Sequence, residues 1–341
     1  MKSNTYHSFH IGILFLLLIA ALILMILNLL IGSVNISFID IWNSFFYSNQ
    51  ASASTRTIII EYRLPQMITA LLAGGALSIA GLLMQTLFRN PLADPSILGI
   101  SSGAGLGVAV IVLLSRATVY KLWSTLGISL SALVGALAVL LLMIAIGSRF
   151  RNKISLILIG LMISYFACSI TDILKFFSHK EEIHSFVIWG LGSFANVGLD
   201  KLPFVLVAIV AGIIPCFFIS KPLNIMLLGD RYAENLGLNI KRSNIIIILL
   251  SGYLTAIVTA FCGPIAFLGL AVPHLARLLF KTSDHRQLIP ATLITGIDLS
   301  LLCNLIARMP IFDGGLPINA ITAIIGAPIV IWIIISRQNI H

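Results

Sequence analysis

The sequence predicts an all-α, polytopic integral membrane protein with about ten transmembrane helices, and two observations carry that prediction. The first is composition. Of 341 residues, 59% are hydrophobic and only 10% charged, and the mean hydropathy is +1.06. An ordinary soluble domain is about 25% charged. The second is pattern. Runs such as Ile11 to Ile31, Leu202 to Ile219 and Ile318 to Ile335 are apolar all round rather than striped. About 20 residues at ~1.5 Å each cross a ~30 Å hydrocarbon core. In lipid every backbone N–H and C=O needs an internal partner. Helices supply one within each segment, and the alternation of a barrel strand is absent here.

Ten spans follow in order: Ile11–Ile31, Leu64–Phe88, Ser96–Leu114, Leu122–Ile146, Ile154–Phe176, Leu202–Ile219, Asn244–Cys262, Ile265–Leu279, Leu288–Ile306 and Ile318–Ile335. The first is too long for a signal h-region and precedes no small-residue cleavage site, so it is expected to stay in the protein. The eighth is short and interrupted by Pro264 and Pro273, so it is expected to be buried in protein rather than to face lipid. An even number of spans puts both termini on one side. The larger share of the 21 Lys and Arg falls in the loops that are cytoplasmic if the N-terminus is cytoplasmic. Both termini are therefore expected on the cytoplasmic side.

No linker, low-complexity tract or soluble domain divides residues 1–341, which read as one transmembrane unit. The net charge of +9 sits at span ends rather than on one stripe, which excludes nucleic acid as a partner. Cys168, Cys216, Cys262 and Cys303 lie in apolar runs without C-x-x-C spacing and read as packing residues. No metal, haem or other cofactor is expected on this chain. It contains no G-x-x-x-x-G-K-[ST], so energy for pumping must come from a partner or an ion gradient.

Four segments are too polar or too rich in Gly and Pro for generic spans. Arg63-Leu64-Pro65-Gln66 opens the second span, Gly74, Gly75, Gly81 and Gln85 lie within it, and Arg89-Asn90-Pro91-Leu92-Ala93-Asp94-Pro95 closes it. Pro suits a first helical turn, small residues permit close helix approach, and two prolines four apart make a rigid turn. Gly229 to Leu238 reads as a short helix, about 230–238, stopped by Gly237 at C′. Asp230 suits the positive end of its dipole, and Tyr232, Leu236 and Leu238 give it an apolar edge. Gly263 to Arg277 and Ser283-Asp284-His285-Arg286 carry His274 and His285, whose spacing fits structural hydrogen bonding better than a metal site. The fourth segment comprises Arg308, Leu316-Pro317-Ile318-Asn319 and Gly326-Ala327-Pro328.

The ordered set R-L-P-x, N-P-L-A-x-P, G-x-x-x-A-x-x-L-G, G-x-I-x-F-x-G-L-x-x-P-H-x-x-R, D-H-R and L-P-[IV] resembles the permeases of FecCD-type ABC importers for iron–siderophore complexes, haem and cobalamin. Trp189-Gly190-Leu191-Gly192-Ser193 also fits, and the resemblance spans nearly the whole chain. It implies a type II ABC importer-like fold in the inner (plasma) membrane of a bacterium. Two ten-span subunits, as a homodimer or a heterodimer with a sister permease, would surround the pathway. Two copies of a cytoplasmic ABC ATPase would drive it, and an extracytoplasmic binding protein would deliver the substrate, with an iron siderophore preferred. The chain itself would be a transport subunit, not an enzyme. By motif, Asp230, Arg231, Ala233, Glu234, Leu236 and Gly237 would form the helix that couples to the ATPase. Asn90 and Leu92, with Asn152 and Lys153, would form the cytoplasmic gate. Arg63 and Arg308 would receive acidic residues of the binding protein.

The chain departs from the family at Gln66, usually Arg; at Asn304, commonly Asp; and at Gly315, often Glu. Fewer docking charges follow, or the use of Lys201 or Arg56 instead. Asp298 lies where the family is apolar, and pairing with a Ser, Asn or backbone group of a neighbouring helix is expected of it. An ion-driven secondary transporter is the competing reading, with Asp172 and Asp298 as coupling sites. A membrane-embedded enzyme would need a convergent set such as H-E-x-x-H, which the sequence lacks.

Overall fold

The computed structural model describes residues 2–32, 34, 36–47, 52–114, 125–147, 153–309 and 315–338, and these contain helices and no strand. In chain order the α-helices are α1 (Lys2–Leu30), α2 (Phe38–Phe46), α3 (Ala53–Thr57), α4 (Leu64–Phe88), α5 (Ile100–Leu114), α6 (Thr125–Gly147), α7 (Lys153–Phe176), α8 (Lys180–Gly190), α9 (Leu202–Phe218), α10 (Ser220–Leu227), α11 (Asp230–Asn235), α12 (Ile240–Cys262), α13 (Leu268–Phe280), α14 (His285–Ala307) and α15 (Ile318–Gln338). Among them, α1, α4 with its N-terminal extension, α6, α7, α12 and α14 are long and apolar enough to cross a membrane. α9 and α10, bent by 53°, make a seventh if the pair counts as one, and α5, α13 and α15 are shorter apolar helices. Each expected span therefore has a helix.

α4 is the axis of the bundle, buried from Met67 to Leu87 except for two half-exposed positions. Small residues make that possible. A Cβ on Gly74 would overlap Ser300 and the Gly296 carbonyl of α14, and one on Gly296 would overlap Ser78. At the same crossing the Ser300 hydroxyl donates to the Ala70 carbonyl at 2.7 Å. α5 and α6 close on one another in the same way through Gly103, Gly107 and Gly135. In lipid, where apolar side chains gain nothing by leaving one apolar medium for another, such backbone proximity holds helices together. α1 runs at the edge, with Phe15, Leu16, Leu22 and Ile23 exposed.

Several boundaries differ from expectation by a few residues, and two of them have a clear physical cause. The second span does not begin at Leu64. It continues back to Ala53 through a π-turn over Ile58–Arg63, closed by Leu64 N–H to the Ile59 carbonyl. Pro65 has no N–H for the Glu61 carbonyl, and its ring would strike that carbonyl in a regular turn. The wider turn relieves the clash. The eighth span begins at Leu268, not Ile265. Gly263 (φ 76) and Phe267 (φ 68) are left-handed, and Pro264 between them cannot donate. The freed backbone is held from outside: the Ala266 N–H reaches Asn319 Oδ1 at 3.0 Å, and Ser193 N–H reaches the Cys262 carbonyl at 2.7 Å. As expected for so short a span, most of α13 is buried.

Candidate functional site

Gln66 and Arg89 stand 23 residues apart along α4, roughly 35 Å at ~1.5 Å per residue. The polar groups singled out in the sequence collect at these two ends.

At the Arg89 end, α4 stops because Arg89 adopts φ 48 as its C-cap. The turn beyond it is closed by Asn90. Its side-chain oxygen accepts from Leu92 N–H at 2.9 Å, and its carbonyl accepts from Ala93 N–H at 3.1 Å. The buried His274 of α13 holds the Pro91 carbonyl at 2.7 Å; a carbonyl only accepts, so Nε2 carries the proton. Asn90 and Leu92 remain exposed at the tip. Arg89 itself reaches sideways, to the Met226 carbonyl at 2.9 Å and to the Asp230 carboxylate. Lys153, first residue of α7, reaches the same carboxylate oxygen at 3.0 Å. Asn152 lies outside the described residues.

α11 ends as a Schellman turn: Leu238 N–H bonds the Ala233 carbonyl at 3.0 Å, Gly237 N–H bonds the Glu234 carbonyl at 2.9 Å, and Gly237 has φ 83. Arg231, Tyr232, Glu234, Leu236 and Gly237 are exposed, Tyr232 at 69% and Leu236 at 62%. Ala233 is a correction. Expected on the surface that meets a partner, it is fully buried, because it is the one small residue on the helix face turned to the bundle. Asp230 is likewise engaged within the chain rather than presented.

The D-H-R triplet anchors this end. Asp284 caps α14 by accepting from Arg286 N–H at 3.0 Å. That bond, with Asn224 and the adjacent positive charges, holds its carboxyl below the usual carboxylate value. Asn224 of α10 donates to Asp284 and accepts from both the backbone N–H and the Nδ1 of His285, each at 2.8 Å. Its other ring nitrogen, Nε2, meets the Thr86 hydroxyl of α4 at 2.8 Å. Both histidines thus bond within the chain. Gln85 similarly bridges α4 to α13, donating to the Leu270 carbonyl at 3.1 Å and accepting from Arg277 at 2.6 Å.

At the other end, Arg63 overturns the picture of an exposed docking charge. Its side chain is 2% exposed. Its guanidinium donates to the Leu29 carbonyl at 2.6 Å, to the Leu30 carbonyl at 2.8 Å and to the Val34 carbonyl. It is a cap for α1, supplied from the π-turn, and satisfies carbonyls that a helix end leaves orphaned. Arg308 is half-buried, with one long contact to the Asn28 carbonyl at 3.4 Å. Burial, and after it the neighbouring Arg63, push its pKa down to about 10, so it stays charged at neutral pH. It lines a cleft of about 370 Å³ with Gln66, Ser193, Asn304, Gly315 and Leu316.

The three departures from the family pattern therefore meet in one place. Gln66 donates to Asn304 at 3.0 Å, and Asn304 donates to Asn28 at 2.8 Å. Neutral amides form the chain of bonds in that cleft. Of the alternative docking cations, Arg56 is exposed and Lys201 is buried at 6%.

Asp298 corrects another expectation: neither carboxyl oxygen has a hydrogen-bond partner among the described residues. Ser300 and Asn304 of its own helix are turned to α4 and α1 instead. Asp172 pairs with Lys175 at 3.1 Å and is largely exposed. The paired intramembrane acids that a gradient-driven transporter needs are not found among the described residues.

Two residues that join helices at these ends, Asn224 and Asn28, belong to none of the segments read from the sequence. Asn28 carried a signal, being the one strongly polar residue in the run Ile11–Ile31. A buried polar residue in a span finds a partner on another helix. Asn224 is an ordinary residue between spans by pattern, and only its neighbours distinguish it.

Comparison with known proteins agrees along the whole length. Residues 17–336 match the FecCD transport family. A Methanocaldococcus jannaschii protein assigned as an ABC transporter permease is 33% identical over 346 residues, covering 96% of this chain and 98% of its own. The vitamin B12 import system permease protein BtuC of Klebsiella pneumoniae is 33% identical over 288 residues, covering 84% of this chain and 85% of its own. A solved inward-facing structure, assigned to the metal-chelate type of ABC transporter, has a TM-score of 0.82 at 31% identity, covering 93% of this chain and 96% of its own. Permeases of this kind are transport subunits whose ATP hydrolysis resides on a separate subunit. The chain belongs to the FecCD transport family and is the permease subunit of an ABC importer of the metal-chelate and cobalamin type.

Proposed function

We propose that this chain forms, with a second permease copy or a sister permease, the pathway of an ATP-driven importer for iron siderophores. Two ATPases dock on the side where both termini lie, the cytoplasm, and a binding protein docks on the other. The observation that carries the reading is α11. It is a compact element with Tyr232 and Leu236 protruding into solvent, in a chain with no nucleotide motif of its own. An exposed apolar edge on a polar helix is what a partner's groove takes up. The exposed turn Asn90–Leu92, with Lys153 beside it, is the gate at that end. At the opposite end Arg308 in its amide-lined cleft receives an acidic group of the binding protein. Arg63 supports that surface by capping α1.

Cobalamin is the second reading of the cargo, because the similar BtuC proteins are named for vitamin B12 import. Uptake into proteoliposomes holding the permease, its ATPase and its binding protein separates the two. Iron-loaded siderophore should accumulate on ATP addition, and cobalamin should not compete. Accumulation of cobalamin alone would replace the cargo.

A further inference from the structure

The Asn90–Leu92 turn and Lys153, read together as parts of the gate, lie far apart in sequence, yet two cations at these places meet at one carboxylate. Arg89, one peptide bond before Asn90, and Lys153 both bond Oδ1 of Asp230, the first residue of α11. Three features make this more than a chance surface pair. Arg89 is a non-glycine residue in the left-handed region, which turns its side chain away from α4 and towards α10 and α11. The same Nη2 also holds the Met226 carbonyl at the end of α10, so the bridge is fixed at both ends of the α10–α11 joint. Beyond Arg89 the turn is stiff. Asn90 closes it internally, Pro91 and Pro95 limit its backbone, and His274 pins the Pro91 carbonyl. A displacement of Asp230 therefore reaches the tip at Leu92 with little slack.

We propose that Asp230 is the transmission contact between the coupling element and the gate: a positioning residue whose single carboxylate ties α11 to the Asn90–Pro95 turn through Arg89 and to the start of α7 through Lys153. It faces into the permease, not towards the ATPase. This rests on reading α11 as the ATPase-coupling element. Exposed ion pairs add little to stability, so these contacts can be removed without unfolding the bundle. Removing the carboxylate also leaves Arg89 and Lys153 as neighbouring like charges, which drives the two gate stretches apart.

The test uses the complete transporter: permease, ATPases and loaded binding protein. Asp230→Asn should still co-purify with the ATPases. Its uptake should fall about tenfold or more, and the stimulation of ATP hydrolysis by loaded binding protein should fall to about onefold. Asp230→Glu should restore stimulation, which a purely structural role would not require. Asp230→Asn combined with Arg89→Gln should lose little more than Asp230→Asn alone, because the Arg89–Asp230 bond is already gone in the single variant. Normal uptake by Asp230→Asn would overturn the proposal, as would losses that multiply in the double variant. Loss of the ATPases from Asp230→Asn would also overturn it, by placing the carboxylate at the ATPase surface. Leu236→Glu, run alongside, tests the coupling reading by itself. If that variant keeps its ATPases, the reading of α11 fails, whatever Asp230→Asn does.

Discussion

Arg63 and Arg308 look alike in the sequence, one opening and one closing a span at the same end, but the structure gives them different work. Replacing Arg63 with Gln removes three hydrogen bonds from a guanidinium to the Leu29, Leu30 and Val34 carbonyls. A hydrogen bond to a charged group contributes about 1.5–3 kcal/mol. The three are not additive, Gln can remake one, and Nε of Arg63 has no partner among the described residues to lose. A loss of about 3–5 kcal/mol is the reasoned outcome. That corresponds to a melting temperature lower by roughly 5–10 °C for a chain of this size. Arg308→Gln removes one 3.4 Å contact, so its stability cost should stay below ~1 kcal/mol. Its effect should appear in docking: a slower association with the binding protein and a weaker salt dependence. The assay is a heat step on purified protein read by size-exclusion chromatography, followed by titration with the binding protein. Equal melting temperatures for Arg63→Gln and the unaltered protein, with docking weakened as much as in Arg308→Gln, would refute the assignment of Arg63 to the α1 cap.

Three further outcomes follow from the same contacts. Gly81→Ala puts a Cβ onto the Gly269 carbonyl, which only a shift of backbone can relieve, so it should destabilise by about 1–3 kcal/mol. Gly105→Ala meets nothing within 4 Å and should be neutral or stabilising by up to ~1 kcal/mol, so the two variants form an internal control in one melting experiment. Leu92→Cys, at an exposed turn tip, should cross-link to its twin under mild oxidant in a resting homodimer, and an intact dimer without cross-link would place the turn off the axis. Tyr232→Glu and Leu236→Glu should each release the ATPase on affinity purification while leaving the permease monodisperse; retention would show that the exposed edge of α11 is not the contact.

Much of this architecture was legible from residue chemistry. Apolar runs gave the spans because lipid admits only helices or closed barrels. Gly237 was readable as a C′ residue because no other side chain sits as well at positive φ, and its Schellman bonds are present. Gly74 and Gly81 marked close approaches because nothing else explains their place within a buried span. What escaped was pairing. Nothing in local sequence distinguishes an arginine that caps a distant helix from one that faces solvent, so the burial of Arg63 is not legible there. The burial of Ala233 is hidden for the same reason: the face that a short helix turns inward depends on what it meets. The π-turn before Pro65 arises from a clash with a carbonyl four residues back, and proline alone is equally compatible with a helix start at that point. The meeting of Gln66, Asn304 and Gly315 in one cleft could not be seen one position at a time.

The central claim is that this permease moves its chelate on energy delivered by a separate ATPase. Proteoliposomes containing the chain, with and without its ATPase, loaded with ATP and treated with a protonophore, test it most directly. Chelate uptake in the presence of the binding protein should require the ATPase and ATP and should be indifferent to the protonophore. Uptake by the chain alone, abolished when the proton gradient is collapsed, would contradict the account.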